Sequence, residues 1–315
     1  MAFPHRHLIS LESLSADEIR LILDQSRSIR QLFSRPIKQV PTLRGKHVML
    51  LFFEPSTRTR VSFEMAIQLL GASPVIMNVS GSSVKKGESL YDTLQTLEAM
   101  GIDAIVIRHA SAGVPDFVSR VVNIPVINAG DGFHEHPTQG LLDIRTMIDA
   151  RESIEGKHVL ILGDIAHSRV ARSNIWALTK LGAKVTVCGP PTLIPKAIQE
   201  MGVRVAPYLD AVLDQADFIN VLRVQFERQE AGLFPSVREY RRFYGLTRER
   251  MNKTKPECLV LHPGPVNRGI EIDSDVIDSG RTVILDQVTN GIAVRMAVLY
   301  LLLAQGKANG KNRTH

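Results

Sequence analysis

Cysteine and long apolar runs are both scarce in this sequence. The 315 residues contain two cysteines, Cys188 and Cys258, and each lies in an apolar, strand-like stretch. Buried thiols of a reducing compartment are therefore expected, rather than a disulfide or a cysteine-based metal site. The longest apolar run, residues 292–304, contains Arg295. It is shorter than the roughly 18 residues of a membrane-spanning helix, so it predicts a packed C-terminal helix and no membrane association.

Signals for secretion and for dinucleotide binding are absent as well. The first fifteen residues, MAFPHRHLISLESLS, have no apolar stretch followed by a small-residue cleavage site, so a cytoplasmic location is expected. The stretch 160–174 reads as strand, glycine turn and helix, which invites a dinucleotide-binding interpretation. The G-x-G-x-x-G spacing is missing, however, because Asp164 and Ile165 follow Gly163. A bound dinucleotide is thus not expected.

The charge balance is basic, with a formal net charge of +6. Such an excess of positive charge can bind nucleic acid, a membrane surface or small anionic substrates. The densest basic segment, residues 238–255, interleaves arginines with aromatic residues, but Glu239 and Glu249 interrupt it and no known nucleic-acid module surrounds it. We interpret it as a solvated helix and loop near a site for acidic substrates, and we expect no nucleic acid.

The order of apolar runs predicts the fold class. Short runs rich in β-branched residues alternate with helical stretches, which is typical of buried parallel strands joined by right-handed crossovers. With 44% hydrophobic and 22% charged residues, the chain could form two α/β domains, each a doubly wound parallel sheet. The predicted strands are residues 47–53, 73–79, 103–109, 124–130, 158–164, 184–190, 217–224, 258–264 and 282–288. Residues 138–157 read as an interdomain helix, and a turn at Asn290-Gly291 precedes the final helix.

Residues 47–71 predict a buried strand, a turn at Glu54-Pro55 and a helix from Ser56 to Gly71. The first N–H groups of a helix lack intrahelical partners and the macrodipole is positive there, so hydroxyls and a guanidinium at this point would surround an anion with donors. Ser56, Thr57, Arg58 and Thr59 form this candidate phosphate site. Residues two apart point in opposite directions on a helix, so Arg58 is assigned to the anion and Arg60 to a structural ion pair.

Further polar residues follow other predicted strands, where open parallel sheets bind their ligands. They are Arg108, the run His136-Pro137-Thr138-Gln139, Arg169 with Arg172, Arg223 with Gln225, and the run His262-Pro263-Gly264-Pro265. Their shared position predicts one cleft. His134 and His136 superficially suggest a metal site, but no H-E-x-x-H spacing, cysteine cluster or acidic set completes one. No metal is therefore expected.

The run Ser56–Arg60, in its strand-to-helix setting, resembles the carbamoyl-phosphate signature of the aspartate/ornithine carbamoyltransferase superfamily. Five more segments match in order, so the resemblance covers essentially the whole chain. It implies two doubly wound domains with the active site in the cleft between them and at a subunit interface. The domains are expected at 1–138 plus 291–315 and at 153–290, joined by the helix 139–152, because the family's final helix returns to the first domain. No cofactor is implied.

The segment around Arg223 distinguishes the branches of the family. Arg223-Val224-Gln225 resembles the Arg-x-Gln element of the aspartate carbamoyltransferases, in which the arginine pairs with a substrate carboxylate. The motifs with which the ornithine enzymes hold a cationic side chain are missing, and Thr138 stands where those enzymes usually have cysteine. The resemblance therefore implies transfer of the carbamoyl group of carbamoyl phosphate to L-aspartate, an early step of pyrimidine (UMP) biosynthesis.

The family assigns roles to matching positions of this chain. The implied catalytic residues are Arg58, Lys86, Arg108 and His136. The implied carbamoyl-phosphate-binding residues are Ser56, Thr57, Arg58, Thr59, Ser82, Arg108, His136, Gln139, Pro263, Gly264 and Pro265. The implied aspartate-binding residues are Lys86, Arg169, Arg223 and Gln225. Gly264 stands where some members of the family have leucine. Its backbone carbonyl can keep the implied role, but glycine cannot make the apolar contact of a leucine side chain. Five cations, one of them Lys86, would offset the roughly four negative charges of the two substrates without a metal.

The assembly is implied by the resemblance alone. In the family, a loop like 81–87 enters the active site of the neighbouring subunit, so Ser82 and Lys86 imply a homotrimer with shared sites. Whether a regulatory chain or a dihydroorotase joins it stays open. Three other functions also remain open: transfer to ornithine or another amine, a nicotinamide-dependent dehydrogenase, and a non-catalytic basic binding module.

Overall fold

The computed structural model describes residues 3–77, 89–224 and 236–304. The chain divides into two compact units. The first comprises Met1–Leu141 together with Thr289–His315, and the second comprises Leu142–Val288. Each unit contains its own parallel β-sheet, as the alternation of apolar runs and helical stretches predicts.

The first unit is built on a four-stranded sheet with the order β2-β1-β3-β4. Its strands are β1 (His47–Phe52), β2 (Ser73–Met77), β3 (Ala104–His109) and β4 (Val126–Asp131). Its helices are α1 (Ala16–Arg30), α2 (Thr57–Leu69), α3 (Leu90–Ala99) and α4 (Val114–Val121), and α5 (Pro137–Arg151) contains the boundary with the second unit. All three strand pairings are parallel. The strand order reverses at β1: β2 lies on one side of β1, and the next strand along the chain, β3, lies on the other side.

The second unit has a five-stranded parallel sheet with the order β7-β6-β5-β8-β9. Its strands are β5 (His158–Leu162), β6 (Lys184–Cys188), β7 (Arg204–Ala206), β8 (Phe218–Val221) and β9 (Leu259–Leu261). Its helices are α6 (Arg169–Lys180), α7 (Val237–Tyr244), α8 (Arg248–Met251) and α9 (Ser274–Ile277), and α10 (Ile284–Leu303) contains the second boundary. The short strand β7 was missed by the sequence analysis.

Local sequence signals set the helix ends. Helix α1 begins with a capping box, in which Ser15 Oγ accepts the Glu18 N–H and the Glu18 carboxylate accepts the Ser15 N–H. Helix α2 is followed by Gly71 at a φ of 77°, the left-handed conformation that favours glycine. Both ends of α2 therefore lie where the sequence predicts them.

The expectation of a last strand at 282–288 is wrong. Thr282 forms an isolated bridge with Val260, and α10 then begins at Ile284 and continues through Asn290 and Gly291 without a turn. Gln287 and Asn290 are buried while Leu285 and Val288 are exposed, so the buried side follows a helical period and not the alternation of a strand. The hydrophobicity of residues 282–288 did not reveal this helical pattern, because Leu285 and Val288 are exposed whereas the buried residues Gln287 and Asn290 carry polar amides.

Both cysteines are buried free thiols, as expected. Burial raises the pKa of Cys188 to about 12 and that of Cys258 to about 11. Thiols held neutral in this way are unreactive at physiological pH. Among the described residues, no helix combines the length and the apolar character that crossing a membrane requires.

Candidate active site

In the first unit, the strand order reverses between β1 and β3, which is the point where open parallel sheets bind ligands beyond their carboxyl ends. The two strands pair with Phe52 opposite Arg108, and the Phe53 N–H donates to the Arg108 carbonyl at 2.9 Å. The N-terminus of α2 follows β1 directly. The structure thus brings the predicted phosphate-binding helix end and Arg108 to the same sheet edge.

The N-terminus of α2 is arranged for an anion. Ser56 occupies the N-cap in an extended conformation, its side chain makes no capping hydrogen bond, and the first turn contains no acidic residue. Thr57 and Arg58 are exposed, whereas Thr59 is buried. The expected ion pair of Arg60 is absent within the described part of the chain, where its buried Nε has no hydrogen-bond partner. The positive end of the helix dipole is therefore not offset by an acidic side chain of its own first turn.

Arg108 is held in place by a carboxylate that the sequence analysis did not assign. Its Nη2 lies 2.8 Å from Glu54 Oε1, and its Nη1 donates to the Ala129 carbonyl at 3.3 Å. Both side chains are partly buried, which limits the rotamers of the guanidinium. Only the pairing of β1 with β3 places residue 54 next to residue 108, so no spacing in the sequence could indicate this pair.

His136 and Gln139 lie at the start of α5, just beyond β4. The His136 carbonyl accepts the N–H groups of Gln139 at 2.9 Å and Gly140 at 3.2 Å, which forms the first turn of the helix. Pro137 occupies the first helical position, where its missing N–H costs nothing. The side chains of His136 and Gln139 are nearly buried. The two residues are therefore positioned by a strand end and a helix start.

The loop between β4 and α5 is organised by Asp131. Its buried carboxylate accepts from Asn128 Nδ2 and from the Gly113 N–H, each at 2.8 Å, and it lies 3.1 Å from His134 Nδ1. Burial opposes ionisation, but the hydrogen bonds from His134, Gly113 and Asn128 outweigh it and hold the pKa of Asp131 below its usual range. The bond to Asp131 raises the pKa of His134. His134 thus stabilises the loop that carries His136.

Glu135 ties this loop to the N-terminal segment. Its carboxylate accepts the Leu11 N–H at 2.8 Å and the Glu12 N–H at 3.1 Å. Glu12, His134 and Glu135 each present a potential metal ligand atom, and these atoms lie within 4.8 Å of one another. Sequence spacing could not show this group, because Glu12 is far from the others along the chain. Both Glu135 oxygens already accept backbone N–H groups, which gives the group a structural role.

In the second unit, the strand order reverses between β5 and β8. The turn after β5 is tight: the Gly163 N–H donates to the Cys188 carbonyl at 2.8 Å, and a Cβ on Gly189 would lie 2.0 Å from the Gly163 carbonyl oxygen. The turn leads to α6, where the N-cap Ser168 accepts the Ala171 N–H. Arg169 is the first residue of this helix and is 4% exposed.

Arg223 follows β8, the strand next to β5. The Leu222 N–H donates to the Leu162 carbonyl at 2.8 Å, which extends the pairing of the two strands. The Arg223 side chain is half-buried. The structure thus brings Arg169 and Arg223 to the carboxyl ends of neighbouring strands. Gln225, Ser82 and Lys86 lie outside the described residues.

The run Pro263-Gly264-Pro265 follows β9, beside β8. Gly264 has a φ of 63°, in the left-handed region where glycine is favoured. Pro263 and Gly264 are half-buried, and Pro265 is exposed. The conformation explains why glycine suits this position.

The basic segment 238–255 forms α7 and α8. Tyr240 is buried, so one of its aromatic side chains packs in the core and cannot stack on a base. Arg241 pairs with Asp273, and Arg250 pairs with Asp210. Partial neutralisation of the segment by aspartates agrees with a solvated surface and weakens the case for nucleic acid.

Comparison with known families decides the classification. The model described as "Aspartate/ornithine carbamoyltransferase, carbamoyl-P binding domain" matches residues 6–149, and the one described as "Aspartate/ornithine carbamoyltransferase, Asp/Orn binding domain" matches residues 155–302. The chain belongs to the aspartate/ornithine carbamoyltransferase family. The family resemblance inferred from the ordered motifs is therefore confirmed.

Curated members of this carbamoyltransferase family are similar over nearly the full chain. The aspartate carbamoyltransferase catalytic subunit of Carboxydothermus hydrogenoformans is 58% identical over 306 residues, covering 97% of this chain and 98% of the relative. That of Halothermothrix orenii is 55% identical over 302 residues, covering 96% of each. Both relatives bear the name of the aspartate branch.

Solved carbamoyltransferase structures have the same fold. The aspartate transcarbamoylase of Trypanosoma cruzi in complex with N-(phosphonacetyl)-L-aspartic acid has a TM-score of 0.86 at 29% identity, covering 94% of this chain and 95% of that one. The ornithine carbamoyltransferase of Pyrococcus furiosus has a TM-score of 0.85 at 30% identity, covering 96% and 98%. Nearly equal scores mean that the fold does not distinguish the two acceptors.

Proposed function

We propose that this chain catalyses transfer of the carbamoyl group from carbamoyl phosphate to L-aspartate, giving N-carbamoyl-L-aspartate and phosphate, an early step of pyrimidine biosynthesis. The observation that carries the proposal is the identity of 52–58% to eight aspartate carbamoyltransferase catalytic subunits, over 95% or more of this chain. The anion-binding end of α2 and the arginines at strand ends of both units support it.

The phosphate group is assigned to the N-terminus of α2. Ser56, Thr57 and Thr59 supply hydroxyls, Arg58 supplies a cation, and the helix end supplies backbone donors. The same features would stabilise inorganic phosphate as it leaves, because negative charge grows on the departing oxygen. Lys86 is proposed to add a second cation, from a neighbouring subunit.

The carbamoyl group is assigned to residues after β3, β4 and β9. Arg108 and His136 donate to the carbonyl oxygen and stabilise the oxyanion that develops when the amine attacks. Gln139 and the carbonyls of residues 263–265 hold the carbamoyl NH2. Glu54 fixes the Arg108 guanidinium in advance, so little reorganisation is needed during the reaction.

L-Aspartate is assigned to Arg169 and Arg223, with Gln225 and Lys86 as further contacts. Two arginines at the ends of neighbouring strands suit a substrate with two carboxylates, since a guanidinium binds a carboxylate through two parallel hydrogen bonds. An ornithine side chain would bring a cation to this place and would be repelled. This charge argument favours aspartate over ornithine.

The mechanism requires no covalent enzyme intermediate. The aspartate amine attacks the carbamoyl carbon, the C–O bond to phosphate breaks, and the leaving phosphate can accept the amine proton. Orientation of the reactants and preorganised charge together can lower such a barrier by about 10 kcal/mol. The proposal divides the chain functionally into 1–138 plus 291–315 for carbamoyl phosphate and 153–290 for aspartate, joined by the helix 139–152.

The proposed assembly is a homotrimer with shared active sites. Helix α2 supports it, because Val61 and Met65, one turn apart and beyond Arg58, are 42% and 43% exposed. Ile37, which lines the same open groove as Met65, is 79% exposed. Apolar side chains clustered in this way suit contact with a second copy of the chain. The two buried free thiols suit the reducing cytoplasm, the proposed location.

The deciding experiment measures ureido product from carbamoyl phosphate with the purified chain, offered L-aspartate or L-ornithine separately. Product is expected with aspartate alone. The Arg223→Ala variant should raise the KM for aspartate strongly and leave carbamoyl-phosphate protection against heat in place. Product with ornithine alone would refute the assignment of Arg223, and product with neither acceptor would refute the proposed activity of the isolated chain.

A further inference from the structure

A chain of buried hydrogen bonds lies next to the loop 263–265. His262 Nδ1 accepts the Gly264 N–H at 2.8 Å, and His262 Nε2 lies 3.2 Å from Glu271 Oε1. Both side chains are 0% exposed. The imidazole therefore links the middle of the loop to a carboxylate further along the chain.

The hydrogen bonds select one state of the imidazole ring. Because the Gly264 N–H donates to Nδ1, that nitrogen must be unprotonated. The proton of the neutral ring is then on Nε2, which donates to Glu271 Oε1. A proton on Nδ1 would place two donors against each other and release Gly264. Glu271 thus determines which ring nitrogen can accept the Gly264 N–H.

Glu271 also holds the far end of the loop. Its Oε1 accepts the Asn267 N–H at 2.7 Å, and Asn267 Nδ2 donates to the carbonyl of Val224, the residue after Arg223, at 3.2 Å. The near end is held by Gln287, whose Oε1 accepts the His262 N–H at 2.9 Å. The loop between His262 and Asn267 is therefore fixed on both sides.

Stability alone does not account for this pair. Glu271 Oε2 is buried and has no hydrogen-bond partner among the residues that the structure describes. Buried polar pairs are costly to desolvate, and well-packed apolar side chains in their place are often equally or more stable. What the pair does provide is a single conformation for the backbone it contacts.

We propose that His262 and Glu271 are positioning residues that set the affinity for the carbamoyl amide of the substrate, by fixing the backbone of residues 263–265. This inference rests on the proposed function, in which carbonyls of that loop accept from the carbamoyl NH2. Inorganic phosphate has no such NH2, so in this assignment it makes no contact with the carbonyls of residues 263–265. Disturbing the pair therefore weakens carbamoyl-phosphate binding and leaves phosphate binding unchanged.

Two substitutions of His262 separate its two contacts. In His262→Asn the amide oxygen lies near the position of Nδ1, so the Gly264 N–H keeps an acceptor while the contact with Glu271 is lost. In His262→Gln the longer side chain places its amide near Nε2, so the Glu271 contact is kept and the Gly264 acceptor is lost. Glu271→Gln keeps an acceptor for the Asn267 N–H. Arg268→Ala is the matched control, because Arg268 is an exposed loop residue that pairs with Asp278.

The readout is the dissociation constant of carbamoyl phosphate beside that of inorganic phosphate, from thermal shifts of the full-length chain. Loss of a single hydrogen bond corresponds to about a tenfold weaker affinity, so carbamoyl phosphate should bind roughly tenfold more weakly to His262→Gln. His262→Asn and Glu271→Gln should show smaller losses in the same direction. Phosphate affinity should stay within about twofold for all variants, and the control should match the wild type.

Three results would overturn the inference. The first is an unchanged ratio of the two dissociation constants in folded His262→Gln and Glu271→Gln. The second is an equal loss for both ligands, or unfolding of every His262 and Glu271 variant, either of which would indicate a general structural role. The third is a wild-type chain that does not prefer carbamoyl phosphate to phosphate, which would refute the proposed function and this inference with it.

Discussion

Arg58 and Arg60 are two residues apart on α2 and have different surroundings. Arg58 is exposed in the first turn, whereas Arg60 is half-buried with an Nε that has no hydrogen-bond partner among the described residues. The geometry of the helix points them to different sides. Their separation supports Arg58 as the residue assigned to the phosphate. The ion pair that the sequence suggested for Arg60 is not found among the described residues.

Replacing Arg58 by alanine should lower kcat/KM by about 10²–10³-fold, because a cation aimed at the leaving phosphate is lost. The melting temperature should change little, since Arg58 is exposed. Steady-state kinetics and calorimetry check both expectations. Arg120→Ala is the control, because Arg120 is an exposed helical arginine of the same unit that pairs with Asp116. Near-normal turnover in Arg58→Ala would remove its assigned role.

His134 should make stability depend on pH in a defined direction. Its hydrogen bond to Asp131 raises its pKa above the ordinary value of 6.5. A raised pKa contributes stability that is complete below the unfolded-state pKa and is lost as the pH rises through the folded-state pKa. The unfolding free energy of the wild type minus that of His134→Gln should therefore be larger at pH 6 than at pH 8.5.

Denaturant unfolding at both pH values measures this difference. His134 is partly exposed, so solvent screening limits the effect to roughly 0.5 kcal/mol. His7 and His109 also change stability with pH, because burial lowers their pKa values. Their contributions are the same in the wild type and in His134→Gln, so they cancel when the two unfolding free energies are subtracted. A difference that grows with pH would contradict the assigned ion pair.

Among the elements, the turn after β5 depends on close backbone approach. Gly163 has a φ of 126°, and Gly189 packs against its carbonyl. This turn directs the chain from the end of β5 into the start of α6, where Arg169 lies. The position of Arg169 therefore depends on two glycines that make no contact with substrate in the proposed mechanism.

Gly189→Ala should destabilise the protein by about 3 kcal/mol or more, because the new Cβ would meet rigid backbone rather than a movable side chain. Gly202→Ala is the comparison. Gly202 lies in the second unit directly after the 3-10 turn Ile198–Met201, and the nearest atom to its added Cβ would be 3.8 Å away. It should cost about 1 kcal/mol, from its φ of 79°. Equal losses in the two variants would refute the packing argument.

For the molecule as a whole, each sheet reverses its strand order once, and the assigned residues of each unit follow the strands at and beside that reversal. Among the described residues, those assigned in the first unit follow β1, β3 and β4, and those assigned in the second follow β5, β8 and β9. The anion-binding residues and the carboxylate-binding residues thus belong to different units.

Shared sites predict recovery of activity in mixed assemblies. Arg58→Ala chains and Lys86→Ala chains should each be nearly inactive alone. If Lys86 acts in the neighbouring subunit, random reassembly of an equal mixture restores about a quarter of the sites, because each intact site needs one suitable chain of each kind. Activity after dissociation and reassembly, with sizing by light scattering, measures this. No recovery in assemblies that have mixed would refute sharing.

The sequence by itself determined the fold class, the bounds of α2 and the polar residues that follow β1, β3, β4, β5, β8 and β9. These features depend on local signals: apolar periodicity, helix caps and left-handed glycines act within a few residues. It also allowed recognition of the family, since six ordered motifs are far more specific than any one of them. The prediction of a last strand at 282–288 was wrong. The β-branched residues of this stretch favour a strand locally, but the segment forms a helix whose buried face includes Gln287 and Asn290.

Only the tertiary structure decided which distant residues support the site. Glu54 meets Arg108 because β1 pairs with β3, Glu135 meets Leu11 because the N-terminal segment runs beside β4, and Glu271 meets His262 within a buried loop. None of these pairs has a characteristic spacing. The first two exist because segments from separate parts of the chain lie side by side, and the third exists because the loop after β9 folds back on itself. In each case, burial favours polar groups that find a hydrogen-bond partner.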